Sequence, residues 1–321
     1  VVAIVFGAMV KLSKRALKNN LTILIAIFSF ISIFFLQVSF PIIIVAAGLA
    51  GFFASKITGK NFMFLQQKEI PVEQDRFELH TGKVNAFSTI KTVSLFLVIW
   101  FVPLLIMLMI YNQDHTLVQE MMFFSKAAVV TFGGAYSVLA YVAQQAVENF
   151  HWLQPGEMLD GLGMAETTPG PLIQVVQFVG FMGAYRFPEG MDPLWAAILA
   201  SCLVTWVTFI PCFLFVFAGA PYIENLRNHQ GLNAALSGVT AAVVGVIVNL
   251  GLWFTLHVLF SVIDEFDVGL FRILKPDPES FNLGTAIVMA ISFVSYFILK
   301  LNMFKTLGIS VLAGIIIYYL T

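Results

Sequence analysis

GMAETTPGPLIQ, residues 163–174, interrupts an apolar run with one carboxylate, two threonines and two prolines around a glycine. Pro169 and Pro171 each remove a backbone donor, and Gly170 frees the chain between them. Thr167 or Thr168 can cap a helix that begins at Pro169, because proline fits the first helical turn. Such a helix start presents free N–H groups and a positive dipole end, which suits an anion. At membrane depth this backbone is tolerated only where protein buries it or a cavity wets it. The stretch reads as a broken membrane helix that holds an ion, against the plainer reading of a kink or surface loop.

The surrounding sequence puts that stretch in a bilayer. Hydrophobic residues make up 59% of the chain, charged residues 11%, and mean hydropathy is +0.90. A soluble domain carries about 25% charged residues. Apolar segments fall at roughly 1–10, 21–36, 39–56, 92–111, 118–147, 161–184, 193–220, 231–260, 283–300 and 303–320. Most are long enough for ~30 Å of hydrocarbon. They do not alternate in the way a β-barrel strand must. The expected fold class is therefore all-α, a polytopic helical membrane protein of the inverted-repeat transporter type with Gly/Pro-broken helices.

Other classes drop out on composition. A net charge of −1 offers nothing to nucleic acid. Cys202 and Cys212 lie in one apolar run and read as small packers. No metal spacing, phosphate loop, HExxH or nucleophile elbow is present, so neither cofactor nor metal is expected. The chain starts in an apolar stretch without Met, which reads as a fragment of a longer protein.

Orientation follows from Lys and Arg in the connections. KLSKRALKNN carries Lys11, Lys14, Arg15 and Lys18 without an acid. If that loop and the 57–91 linker are cytoplasmic and each segment crosses once, 13 Lys/Arg lie inside and 3 outside, with Lys126 left within a segment. VVAIVFGAMV at residue 1 resembles VVGVIVNLGL at 243, and PIIIVAAGLAGFF at 41 resembles TLGISVLAGIIIY at 306. The matching loops carry opposite charge bias, as two copies in opposite orientation would. The organisation reads as closing helices of a truncated first repeat (1–56), a cytoplasmic linker (57–91), a connecting helix (92–111) and a second repeat (118–321).

A second interruption opens that repeat. Residues 118–147 would span about 45 Å as one helix, so the segment is tilted or broken at Gly133-Gly134; close helix packing through small residues is the alternative. Lys126 sits among apolar neighbours and is either an anion ligand or a snorkelling surface cation. Gln144, Gln145, Gln174 and Gln177 are ligand donors or interhelical glue. Glu148, Asp160 and Glu166 could relay protons, although Glu148 and Asp160 suit solvated helix ends. Arg186 reads as an interfacial anchor, and His257 as a bonded interior histidine.

TFGGAYSVLAYVAQQAVE, WLQPGEMLDGLGMAETTPGPLIQVVQFVGF, TFIPCFLFVFAGAPYIENLR and AAVVGVIVNLGLWFTLHVLF together resemble the chromate transporter family in its long two-half form. The likeness runs through residues 118–321, while VVAIVFGAMVKLSKRALKN looks like the close of the family's first half. The resemblance implies secondary export of chromate through the bacterial cytoplasmic membrane and resistance to it. Sulfate, a tetrahedral dianion of similar shape, is the alternative cargo; a channel and an enzyme are the remaining readings. The lipid bilayer and a second copy of the chain are the other expected partners. The expected substrate-binding set is Lys126, Thr131, Gly133, Gly134, Tyr136, Gln144, Gln145, Glu166, Thr167, Thr168, Pro169, Gly170, Pro171 and Gln174.

Overall fold

The computed structural model describes residues 2–58, 86–131, 135–167, 174–222 and 229–320. Most of the 57–91 linker, Gly133, Gly134, Thr168, Pro169, Gly170 and Pro171 lie outside these residues, as do the side chains of Tyr136, Glu166 and Thr167. The described chain is helical, in keeping with the expected all-α membrane fold. Its helices are α1 (Val2–Ala16), α2 (Asn20–Phe34), α3 (Phe40–Thr58), α4 (Ala86–Ile110), α5 (Thr116–Val130), α6 (Ala135–Gln144), α7 (Pro155–Thr167), α8 (Gln174–Arg186), α9 (Pro193–Gly219), α10 (Gln230–Leu259), α11 (Leu283–Phe293) and α12 (Met303–Leu320). Two π-helical turns, Gln145–Asn149 and Val294–Ile298, extend α6 and α11. Phe40–Ile57, Phe87–Ile110, Pro193–Tyr222 and Gln230–Leu259 are long and apolar enough to cross a bilayer.

Local sequence explains where several helices start. Asn19 and Thr22 form a reciprocal capping box on α2. Asp192 accepts from Leu194 and Trp195 ahead of Pro193, which opens α9. Asn282 caps α11 through Thr285 N–H. The α7 helix begins at Pro155, earlier than the apolar pattern at 161 suggests. Glu157 reaches back to Gln154 N–H there, so a polar first turn is helical without being hydrophobic.

Two compact units emerge, each discontinuous in sequence. The first comprises residues 1–47, 133–175 and 239–321. Its post is the later part of α10, where Ala241, Ala242, Val243, Val246 and Ile247 are all buried. Burial on every face marks a helix enclosed by others. Close approach requires glycine here: a Cβ at Gly245 would lie 2.2 Å from Ala26 O and 2.9 Å from Phe30 N of α2. On the other side Phe6 of α1 meets Phe293 of α11 edge-on at 5.4 Å.

The connection 261–282 is not a plain loop, as the sequence suggested. Ile263–Val268 (β1) and Phe271–Pro276 (β2) pair antiparallel, from Ile263 opposite Pro276 to Val268 opposite Phe271. Gly269 takes φ +67° in the two-residue turn, where a hairpin needs a positive value.

The repeat is visible in backbone detail. FISIFFLQVSF (30–40) and FVSYFILKLNM (293–303) end their helices alike. Val38 N–H donates to Ser32 O and Leu301 N–H to Ser295 O, both at 3.0 Å. Gln37 and Lys300 each take φ 51°. Arg272 N–H donates to Phe35 O at 2.7 Å, so the end of α2 shares a face with the hairpin that precedes α11. The two matching helices therefore run in opposite directions within this unit.

The second unit comprises residues 48–132 and 176–238. In it α9 packs against α4 and α5. Trp206 Nε1 donates to Ile99 O at 2.9 Å, and Trp100 Nε1 to Ser125 Oγ at 3.1 Å. Leu117, Ala184, Ala196 and Ala200 form a buried cluster at one end. Phe87, Leu95, Val98 and Met109 of α4 remain exposed, an apolar face suited to lipid.

Gly245→Ala should destabilise the protein by about 1–3 kcal/mol, because the new methyl meets backbone that cannot rotate away. Gly308→Ala, with nothing within 4 Å of its Cβ, should be neutral or stabilising. Thermal unfolding in detergent compares the two.

Candidate functional site

The first unit gathers polar side chains at one end. The π-helical turn Gln145–Asn149 aims Glu148 inward, and His151 beyond it holds φ 53°. Turns of this type recur at functional sites. Glu148 accepts from Trp253 Nε1 of α10 at 3.1 Å, from Arg272 Nη1 at 3.0 Å and from Arg272 Nη2 at 3.2 Å. Arg272 Nη2 also donates to Glu265 Oε1 across the hairpin. The Gln37 amide, with its oxygen turned toward Arg272, accepts from Nε and Nη1 at 3.2 Å.

Arg272 is only 7% exposed, so its charge has to be satisfied by protein. Burial alone would lower its pKa; the hydrogen bonds and charges of Glu148 and Glu265 outweigh that and raise it above the ordinary arginine value. The guanidinium is permanently cationic, and two carboxylates oppose it. His257 stacks on Trp253 at 4.0 Å and directs Nδ1 to Trp253 O at 2.9 Å. A carbonyl only accepts, so Nδ1 carries the proton and Nε2 is left as an acceptor.

A cavity of about 570 Å³ opens beside this network, lined by Gln144, Gln145, Glu148, His151, His257 and Arg272 among others. A smaller chamber of about 20 Å³ lies between Gln144, Glu148, Asn249 and Arg272. That is room for one water among polar partners.

Of the expected ligands, Gln144 and Gln145 thus line one cavity. Gln174 opens α8, half-buried. Thr131 ends α5 with ψ 88° and donates through Oγ1 to Ala127 O at 2.6 Å. Lys126 belongs to the second unit; its side chain is exposed and makes no ion pair among the described residues. Asp160 is exposed, as a solvated position should be. Two charged groups of interest were not in the expected set. Arg272 looked like a loop charge, and Glu148 a solvated helix end. Their only sequence signal was Arg272, with Lys275, among five acids in residues 261–282.

The Glu148–Arg272 pair corrects the topology. With every segment crossing once, Glu148 falls inside and residues 261–282 outside. A 3.0 Å ion pair places both on one face, with Gln37. Residues 118–147 therefore do not cross once. The described helices agree: α5 stops at Val130, and a separate helix starts at Ala135. At 15 residues α5 is about 22 Å long, short of the hydrocarbon thickness. Length alone does not decide this, since α2 is equally short; the ion pair does. The expected break at GMAETTPGPLIQ falls largely on residues 168–173, outside the described residues, between α7 and α8.

Described helices of which four are long and apolar enough to cross a bilayer, with an inverted helix–turn repeat in the first unit, define a multi-pass helical membrane protein. Residues 118–318 match the family model described as "Chromate transporter", and the chain belongs to that family. It is 30% identical over 140 residues to the chromate transport protein of Cupriavidus metallidurans, covering 43% of this chain and 32% of that protein. It is 34% identical over 122 residues to that of Pseudomonas aeruginosa (38% and 26%), and 30% identical over 129 residues to a probable chromate transport protein of Synechococcus elongatus (40% and 30%). The matched stretch thus spans about a third or less of each relative's length. No solved structure matches. Family membership sets aside the enzymatic reading.

Arg272→Ala should cost about 3 kcal/mol, the lower end for a broken buried pair because Glu148 keeps 19% exposure. Arg272→Lys should recover little, since an ammonium cannot reproduce the fork. Unfolding midpoints and protease cleavage within 263–276 read both. In a background without Cys202 and Cys212, cysteines at Asn149 and Ser280 should label from the same side of the membrane, and one at Asn19 from the other. Opposite labelling of Asn149 and Ser280 would restore a single crossing.

Proposed function

We propose that the protein to which this chain belongs is a secondary transporter that exports chromate across the bacterial cytoplasmic membrane and so confers chromate resistance. The observation that carries this is the match of residues 118–318 to the chromate transporter family, in a chain whose α5 leaves the helix at Thr131 with ψ 88°. Broken helices are how carriers place free amides at membrane depth. The binding groups are those the sequence singles out: N–H groups of the Gly133-Gly134 and Thr167–Pro171 blocks, with Thr131, Tyr136, Glu166 and Gln174 as further candidates. Lys126, unpaired and five residues before the first break, supplies a cation that no described carboxylate neutralises.

Energetics favour export without ATP. An inside-negative potential returns ~2.3 kcal/mol per elementary charge per 100 mV, and a dianion gains about twice that on leaving. Coupling to a proton gradient would add to it.

Chromate uptake into everted vesicles carrying the full-length protein tests the proposal. Saturable, gradient-dependent uptake is expected, and no uptake would sink it. Competition by excess sulfate at equal potency would move the assignment to a general oxyanion carrier; unsaturable flux would make it a channel. Pro169→Ala with Pro171→Ala should abolish flux by rebuilding a continuous helix, and Lys126→Met should cut it at least about tenfold, the equivalent of 1.4 kcal/mol of lost anion binding.

A further inference from the structure

The second unit holds a carboxyl group that the proposed oxyanion site does not use. Glu120 lies in the second turn of α5 and is 0% exposed. Neither oxygen has a hydrogen-bond partner among the described residues. A Cβ at Gly180 of α8 would sit 3.5 Å from Glu120 Oε2 and 2.9 Å from Val204 Cγ2 of α9, so the carboxyl faces a wall of glycine and valine. No charged or titratable group on the packed elements bonds it: not Lys91 of α4, Tyr185 or Arg186 of α8, Cys202 or Cys212 of α9, nor Lys126 of its own helix. An ionised carboxylate cannot rest there, because burying an unpaired charge is far costlier than binding a proton.

One way in is visible. Thr116, four residues earlier on the same helical row, gives both its N–H (3.2 Å) and its Oγ1 (2.7 Å) to Glu189 Oε1. His115 Nε2 is buried and lies 3.5 Å from Glu189 Oε2. Glu189 keeps 37% of its side chain exposed. A solvent-facing carboxylate and a histidine thus stand at the mouth of the row that ends on Glu120.

We propose that Glu120 is a proton-binding site that couples proton entry to anion export. It rests on the transport reading above. In this conformation Glu120 carries a proton received from the Glu189 face. When α8 and α9 shift to admit water from the other side, the O–H bond breaks, one proton passes to that water and a carboxylate remains until it is reloaded. The loop-charge rule puts residues 185–192 outside, so each cycle brings a proton inward as the dianion leaves.

The test uses the full-length protein in liposomes, wild type against Glu120→Gln, which keeps the shape of the side chain. Chromate efflux is compared with and without an inward proton gradient at fixed membrane potential. Wild type should accelerate several-fold with the gradient; Glu120→Gln should show a ratio near one, keep chromate–chromate exchange, and regain the response as Glu120→Asp. An equal ratio in wild type and Glu120→Gln overturns the proposal. An infrared measurement needs no transport: wild type at neutral pH should show a protonated carboxylic C=O stretch that Glu120→Gln lacks. Absence of that band also overturns it. If wild type moves no chromate yet shows the band, the transport reading fails and the proton site stands.

Discussion

The first unit is organised around one guanidinium. Arg272 spends its side-chain donors on Glu148, Glu265 and Gln37, and its backbone N–H on Phe35 O. Those partners come from the π-helical turn, the opposing strand and the end of α2. A two-stranded hairpin is marginal by itself in water, and this one buries little besides Arg272. The ion pair therefore holds the hairpin down as much as the hairpin presents the arginine. It also puts three parts of the chain, far apart in sequence, on one face of the membrane.

Once that face is set, the interruptions acquire a meaning that apolar length could not supply. In hydrocarbon each backbone N–H and C=O has to be paired internally. A chain that stops its helix at Val130, with Thr131 outside helical geometry, needs a polar surrounding for the freed groups. The same economy shows where helices end at the surface. Gln37, His151 and Lys300 each reverse the chain with a positive φ despite carrying side chains. Two of the three follow a π-helical turn. Such geometry costs on the order of 1–3 kcal/mol each, and its recurrence at 37 and 300 marks two copies of one unit.

Much of this was legible in the residues. Apolar runs located the helices; the caps Asn19, Asp192 and Asn282 are local chemistry that the structure shows and the sequence reading did not single out. The end of α5 at Val130 falls just before the Gly133-Gly134 block that the sequence singled out; that block and most of TTPGP lie outside the described residues. What could not be read was anything decided by a distant partner. IDEFDV and FRILKP look like a charged loop until Gly269 turns one against the other. Glu148 looks solvated because its partners lie 105 and 124 residues away. Crossing number went wrong for the same reason: hydropathy counts apolar residues and does not see an ion pair such as Glu148–Arg272. Moving residues 148–160 to the other face leaves the Lys/Arg tally unchanged, because that stretch contains neither. The positive-inside rule was blind to the error.

The charge on the large cavity argues for a division of labour. Glu148 and Glu265 outnumber Arg272, and the two histidines on its wall add no fixed charge while neutral. A dianion entering would meet net negative potential and an arginine already engaged. Its tetrahedral oxygens match the guanidinium fork as well as a carboxylate does, so it can hold Arg272 only by displacing Glu148 or Glu265. Doing so would release the hairpin from the π-helical turn. The cavity thus opposes resting occupancy by an anion, because its arginine is already held by two carboxylates.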